Sequence, residues 1–346
     1  MFQKNLKIIS YFGTAVLIVA FLSYSALFKW NNTSFSSDAL TVYIESDWDF
    51  EDLKKALGPN LKNQFLFAVA AQIKGYDKRV RSGKYTLTKG LSNNELINRL
   101  RLKSHPITIT FNNQERLENL AGRLSQLLEA DSLALLNEMT KASVLSENGF
   151  TEETALAMYL PNSYEFFWDV TPESFCKRMH KEYRSFWNSS RKQKAQQLGL
   201  SEVEVIILAS IVHKETVRAE ERPTVAGVYL NRLRKGMKLQ ADPTVIYALK
   251  KRYQNFDTII KRVLYKDLRI RSPYNTYRVR QLPPGPISMP DISAIEAVLN
   301  PKKHSYLYFV ANPNRPGYHM FASSLSQHNR NKRTYVQWLN RNKLYR

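Results

Sequence analysis

The chain has 346 residues, 43% of them hydrophobic and 12% aromatic, with a formal net charge of +21. That apolar content excludes a disordered chain, and the length accommodates two domains. The charge calls for an acidic partner, whether nucleic acid, anionic lipid or anionic cell-wall polymer.

The first seven residues, MFQKNLK, carry Lys4 and Lys7 and no acid. They precede 21 uncharged residues, Ile8–Phe28, and then Lys29-Trp30. About 20 apolar residues cross the hydrocarbon core as a helix, so 8–28 is predicted to span a membrane. The basic front end predicts residues 1–7 in the cytoplasm and everything after the span on the outer side of the cytoplasmic (inner) membrane. A cleaved signal peptide has an apolar run of only about 7–15 residues before a small-residue site. Ser23-Tyr24-Ser25 is a poor version of that site, which favours a retained, single-pass anchor. The one cysteine, Cys176, is far from the N-terminus, which excludes a lipoprotein anchor, an internal disulfide and a cysteine-based metal site. A basic protein outside the membrane meets lipid and wall polymer, not nucleic acid. The chain also lacks the aromatic-interleaved basic modules of nucleic-acid binders.

Residues 29–40, with the polar stretch NNTSFSSD, read as a linker. A small α+β module is predicted over 41–104. In it TVYI (41–44) is strand-like and DFEDLKKAL (49–57) is helical. SGKYTLTKG (82–90) is a turn and strand, and SNNELINRLRLK (92–103) a capped helix. ITITF (107–111) adds a strand. From Gln114 the pattern turns helical, with Leu117, Leu120, Leu124, Leu127 and Leu128 at three- and four-residue steps. Helical texture persists to about Met237. SPYNTYRVRQLPPGPISMPD, from Ser272, is too rich in Pro and Asn for regular structure. A helix (292–300), a strand (305–312), a turn at PNRPG, a short strand YHMFA and a basic helix complete the chain. The predicted class is α+β: a transmembrane helix, the small module, and a larger mixed α+β domain over 105–346.

One helix singles itself out. SEVEVIILASIVHKET starts with a capping box, Ser201 and Glu204, and is apolar around most of its circumference. It ends on Glu215, aligned with Leu208, Ile211 and Val212. A carboxyl there has its charged form desolvated, so its pKa is expected to rise, which suits a general acid near neutral pH. The alternative is an ion pair with Arg218, Arg222 or Arg232 that ties two helices together. On this helix alone the structural alternative leads. Downstream, Gln240, Asp242, Thr244 and Tyr247 follow a Gly-ended helix, and Tyr274, Asn275 and Tyr277 lie in the Pro-rich loop. Planar amides and aromatic hydroxyls on a stiff loop suit a carbohydrate, so these seven are candidate substrate-binding residues.

These stretches resemble a known family, the YceG-like endolytic murein transglycosylases. The similarity runs through LASIVHKET, ERPTVAGVYLNRLRKGMKLQADPTVIYAL, SPYNTY, LPPGPIS, AVLNP, YLYFV and HMFASSLSQHN. Upstream, SGKYTLTKGLSNNELINRL is similar to the family's LysM-like module and YLPNSYEFFWDVTPESF to its connecting segment. The resemblance implies a membrane-anchored enzyme that cuts the β-1,4 bond between N-acetylmuramic acid and N-acetylglucosamine within peptidoglycan glycan strands. It implies 1,6-anhydromuramyl ends, and cleavage that ends the elongation of nascent strands beside cell-wall synthases. It puts the catalytic glutamate on Glu215. Two positions depart from the family pattern: His213 stands where an acid is frequent, and Gln281 where a Gly is usual.

The implied chemistry agrees with the residues. Ordinary glycosidases need two carboxylates. A lytic transglycosylase works with one, which protonates the leaving oxygen and then takes the proton of the C6 hydroxyl. Asp242 is the nearby second carboxylate, and its place in ADPTV suggests a turn or cap. The six histidines (105, 180, 213, 304, 319, 328) show no metal-ligand spacing, and no cofactor is expected. Two rival readings remain: a hydrolase with Asp242 positioning water, and a wall-binding scaffold without activity.

Overall fold

The computed structural model describes residues 2–342, with side chains from residue 8 onward. It is a mixed α+β protein of two units. The N-terminal unit runs to Ile109 and takes in Leu127–Ala130 and Glu165–Val170. The second holds Thr110–Gln126, Asp131–Tyr164 and the chain from Thr171.

The N-terminal unit begins with α1 (Phe2–Phe28). Its stretch Ile8–Phe28 is long and apolar enough to cross a membrane; the side chains from Ile8 to Tyr24 are exposed, while the last turn packs against the unit. After it come β1 (Ala39–Ile44), α2 (Phe50–Leu57), α3 (Gln64–Ile73), β2 (Gly83–Thr88) and α4 (Asn93–Arg101). β1 and β2 pair antiparallel, with Val42 opposite Tyr85 and Leu40 opposite Leu87. Two helices start on capping boxes, Asp49 with Asp52 and Ser92 with Glu95, which satisfies amides that would otherwise lack partners. The core gathers Ile44, Leu53, Phe67, Leu87, Leu96 and Leu100. Helix α3 escapes a periodicity reading because QFLFAVAAQI is apolar on every side. Residues 31–33, read as linker from composition, are stitched into the unit: Asn31 bridges Ser92 and Thr33 bridges Leu61.

β3 (Ile107–Phe111) leads into the second unit, whose first elements are α5 (Leu117–Ser125), α6 (Ser132–Thr140) and α7 (Ala142–Glu147). The single helix expected from Gln114 stops at Ser125. Glu129 instead accepts hydrogen bonds from the amide and hydroxyl of Ser46, at 2.5 and 2.7 Å. β4 (Asn162–Phe166) pairs with β3. Then follow α8 (Pro172–Phe186), α9 (Ser189–Gln197), α10 (Glu202–Glu215), α11 (Arg222–Arg234) and α12 (Asp242–Tyr253). Residues 272–290 are irregular, as their composition demands. α13 (Ile292–Leu299), the hairpin β5 (Tyr308–Ala311) and β6 (His319–Ala322), and the basic α14 (Leu325–Arg341) close the chain. α10 is the axis of this unit: Val205 through Val212 are buried without interruption, and α11, α12 and α13 pack around it.

Candidate active site

The Ser201–Glu204 capping box fixes the start of α10, and Thr216, extended at ψ 133°, ends it. Glu215 is therefore the last helical residue, enclosed by protein yet partly open to solvent. Its Oε1 accepts a 2.6 Å hydrogen bond from the hydroxyl of Tyr229, two turns into α11. Tyr229 is 1% exposed, and its ring meets Phe309 of β5 edge-on at 5.9 Å. None of the ion pairs among the described residues includes Glu215.

The three arginines that an ion-pair reading would require are used elsewhere. Arg222 donates to Asp291 and Ser293. Arg218 lies over the ring of Tyr318. Arg232, one turn after Tyr229, is buried and donates to the carbonyls of Leu307, Lys238 and Leu239 and to Gln240 Oε1. Its charge holds the β5 and α12 approaches together and acts on Glu215 only from a distance.

Burial pushes the Glu215 carboxyl from 4.5 up to about 7. The Tyr229 hydrogen bond opposes that rise, the charge of Asp242 adds to it, and His319 and Arg232 pull it back. A rise of that size costs the fold about 3 kcal/mol when the group ionises. The buried Val, Ile and Leu side chains of α10 contribute roughly 1.5–3 kcal/mol each, so packing outweighs the cost several times over. The fold tolerates a carboxyl that holds its proton near neutrality.

A second carboxylate lies close by in another state. Glu221 is 6% exposed and accepts from the amide and Nδ1 of His319, at 2.8 and 2.7 Å, and from Thr216 Oγ1 at 3.2 Å. Burial opposes its ionisation, but the hydrogen bonds and charge of His319 outweigh burial and hold its pKa low. His319 in turn meets Phe309 edge-on at 5.1 Å. The contacts close a ring: Glu215, Tyr229, Phe309, His319, Glu221, and Thr216 back beside Glu215.

The sequence-derived binding residues separate into three groups. Asp242 and Tyr277 stand at the site. The Tyr277 hydroxyl donates to Asp242 Oδ1 at 2.6 Å, and both groups act electrostatically on Glu215. Gln240 is exposed, left-handed at φ 53°, and tied to Arg232 and the Thr276 carbonyl. Thr244 and Asn275, by contrast, are fully buried. Thr244 bonds the Ala241 carbonyl and Thr276, while Asn275 donates to the carbonyls of Leu268 and Ile270 and accepts from the Tyr277 amide. Neither presents a group to a ligand, because a buried loop must satisfy its own backbone first. They carry Tyr277. The rings of Tyr247 and Tyr274 meet at a tilt of 45°, centroids 4.7 Å apart, and line a separate cleft of about 810 Å³ with Phe256, Glu118 and Glu153. The Pro-Pro-Gly-Pro loop passes so close to the Glu153 carbonyl that any Cβ at Gly285 would collide with it.

His213 faces away from the site. Its Nδ1 lies 3.3 Å from Asp291, which is already bound by Arg222 and Asn113, and burial lowers its pKa. Gln281 is exposed. Tyr229, Phe309 and Glu221 are among the members that sequence reading missed. A tyrosine within the apolar run Val225–Leu230 of α11, all of it buried, was the available signal for the first. Nothing local marks the other two.

One proton-holding carboxyl, walled by aromatics and free of any ion pair, is the layout of a single-acid catalyst on an α+β scaffold. The chain belongs to the YceG-like family, which it matches over residues 42–334. It is 30% identical over 320 residues to an endolytic murein transglycosylase of Bacillus subtilis (strain 168), covering 87% of this chain and 86% of that protein. An endolytic murein transglycosylase of Streptococcus pneumoniae (strain R6) is 29% identical over 80% of this chain, which spans 54% of that longer protein. The 2.6 Å crystal structure of a yceG-like protein from Listeria monocytogenes superposes with a TM-score of 0.55 at 27% identity, covering 85% of this chain and 99% of that one.

Proposed function

We propose that this protein is a membrane-anchored peptidoglycan lytic transglycosylase that cuts the β-1,4 bond between N-acetylmuramic acid and N-acetylglucosamine inside glycan strands. The observation that carries this reading is the state of Glu215: protonated near neutrality, unpaired by any cation, and fixed by Tyr229. Tyr229 occupies Oε1, so the acidic proton belongs on Oε2. From there it passes to the glycosidic oxygen as the bond to muramyl C1 breaks, and the N-acetylglucosamine end leaves with its hydroxyl restored. The carboxylate so formed, steadied by Tyr229, removes the proton of the muramyl C6 hydroxyl, and O6 closes on C1. No water is consumed, and Glu215 ends as it began. A partly enclosed site favours this internal attack over hydrolysis.

In this reading α1 anchors the chain, with Lys4 and Lys7 on the cytoplasmic side and the catalytic domain (105–346) outside. Residues 41–104 serve as a LysM-like module that grips glycan; the order of strand, two helices and strand, with the strands paired antiparallel, supports the module and not by itself the grip. Cleavage ends strand elongation, which makes cell-wall synthases the natural partners. Gln240, Asp242 and Tyr277 are the predicted binding residues that remain placed to meet sugar.

The test is digestion of purified, uncrosslinked glycan by wild type and by Glu215→Gln. Wild type should yield anhydro ends, lighter than reducing ends by one water, and the variant should yield none. Reducing ends from wild type would make it a hydrolase. Cleavage by the variant at the normal rate would remove Glu215 from the reaction.

A further inference from the structure

The junction between α1 and the N-terminal unit is not a tether. Leu27 and Phe28 pack against the unit's core, and the Leu27 carbonyl accepts from Asn93 Nδ2 at 2.9 Å. The amides of Lys29 and Trp30 both return to the Ser25 carbonyl. Asn32 then locks the exit. Its Nδ2 donates to the Asn63 carbonyl and Asn93 Oδ1, its Oδ1 accepts from the Asn63 amide at 2.7 Å, and its own amide donates to Leu91. Asn32 is 5% exposed, so these bonds are shielded from competing water.

Asn63 is the N-cap of α3, which packs against α1. The first turn of α3 is therefore fixed beside the end of the apolar span. That turn carries Phe65, 73% exposed, and the chain leaving α1 carries Trp30, 56% exposed. No charged residue occurs anywhere in α3, although a helix facing water normally carries charge on its outer face. Lys29 and Lys62 are exposed on either side. Tryptophan and lysine at the end of a span, next to an exposed phenylalanine, are the side chains that settle at the headgroup level of a bilayer.

We propose that the N-terminal unit is seated on the bilayer itself, with Trp30 and Phe65 at the boundary between headgroups and acyl chains. The occupant of this patch is lipid, because α3 packs against the apolar span and its N-cap is bonded to the residue that leaves the span. The inference rests on α1 crossing the membrane and is independent of the catalytic reading. A unit held in this way reaches only glycan adjacent to the membrane.

The full chain in lipid nanodiscs tests it, using single cysteines carrying an environment-sensitive fluorophore at Phe65→Cys, Glu51→Cys and Leu17→Cys. Cys176 does not compete for label, being buried with its thiol pushed up to about 11. The label at 65 should be quenched several-fold more than that at 51 by acyl-chain spin-labelled phospholipid, and should be shielded from iodide. Equal iodide quenching at 65 and 51 overturns the proposal. So does shielding from iodide without lipid quenching, which would mean that protein covers the patch. A label at 17 untouched by lipid would refute the anchor itself, and the seat with it, a result distinguishable from failure at 65 alone.

Discussion

Replacing Tyr229 with phenylalanine isolates what one hydrogen bond does to the acid. The substitution keeps the ring that meets Phe309 and removes only the hydroxyl that donates to Glu215 Oε1 at 2.6 Å. A hydrogen bond to a charged acceptor contributes about 1.5–3 kcal/mol and one to a neutral acceptor about 0.5–1.5 kcal/mol. The ionised form of Glu215 thus loses about 1–1.5 kcal/mol more than the protonated form, which is about one pKa unit. Glu215 must start protonated, so activity falls as pH rises through its pKa, now about 7. In Tyr229→Phe the basic limb of the rate profile should move up by about one unit. The carboxylate that forms as the proton leaves is also less stabilised, so the plateau rate should drop about tenfold. The assay counts anhydro ends released from uncrosslinked glycan across pH 5 to 10, with Glu215→Gln as the blank. A limb that stays in place, or moves toward acid, while the rate drops uniformly would mean that Tyr229 only packs, and the argument from its hydroxyl would fail.

Neighbouring groups should move the same limb with opposite signs. The Asp242 charge raises the Glu215 pKa and the His319 charge lowers it. Asp242→Asn should therefore shift the limb to lower pH with the product still anhydro, and His319→Gln should shift it to higher pH; identical shifts in the two variants would contradict this electrostatic account. Stability should follow pH in a defined sense. The folded pKa of Glu215 lies above its unfolded value of 4.5, so its contribution is complete below pH 4.5 and is lost as pH rises through about 7. Glu215→Gln should match wild type in denaturant unfolding at pH 4 and exceed it by about 2–3 kcal/mol at pH 8.

The parts of this molecule that composition and spacing disclose are those set by neighbours along the chain. Capping boxes at Ser92 and Ser201 announce their helices because the bonds they make are three residues apart. Glu215 is conspicuous for the same reason: a carboxyl ending an apolar helix is a conflict visible within one stretch. α3 hides because QFLFAVAAQI carries no charged face to mark its period. Thr244 and Asn275 mislead because the hydroxyls and amides that suit a sugar are the same groups an irregular loop needs to close its own hydrogen bonds. What tunes the acid is illegible for a different cause. Tyr229 reaches Glu215 across two helices, and Glu221 meets His319 across 98 residues. Hydrophobic periodicity reports that a face is covered but not by what. The electrostatics of the site therefore reside in long-range pairings, which is why the Tyr229, Asp242 and His319 substitutions test the structure in a way that no change to α10 alone could.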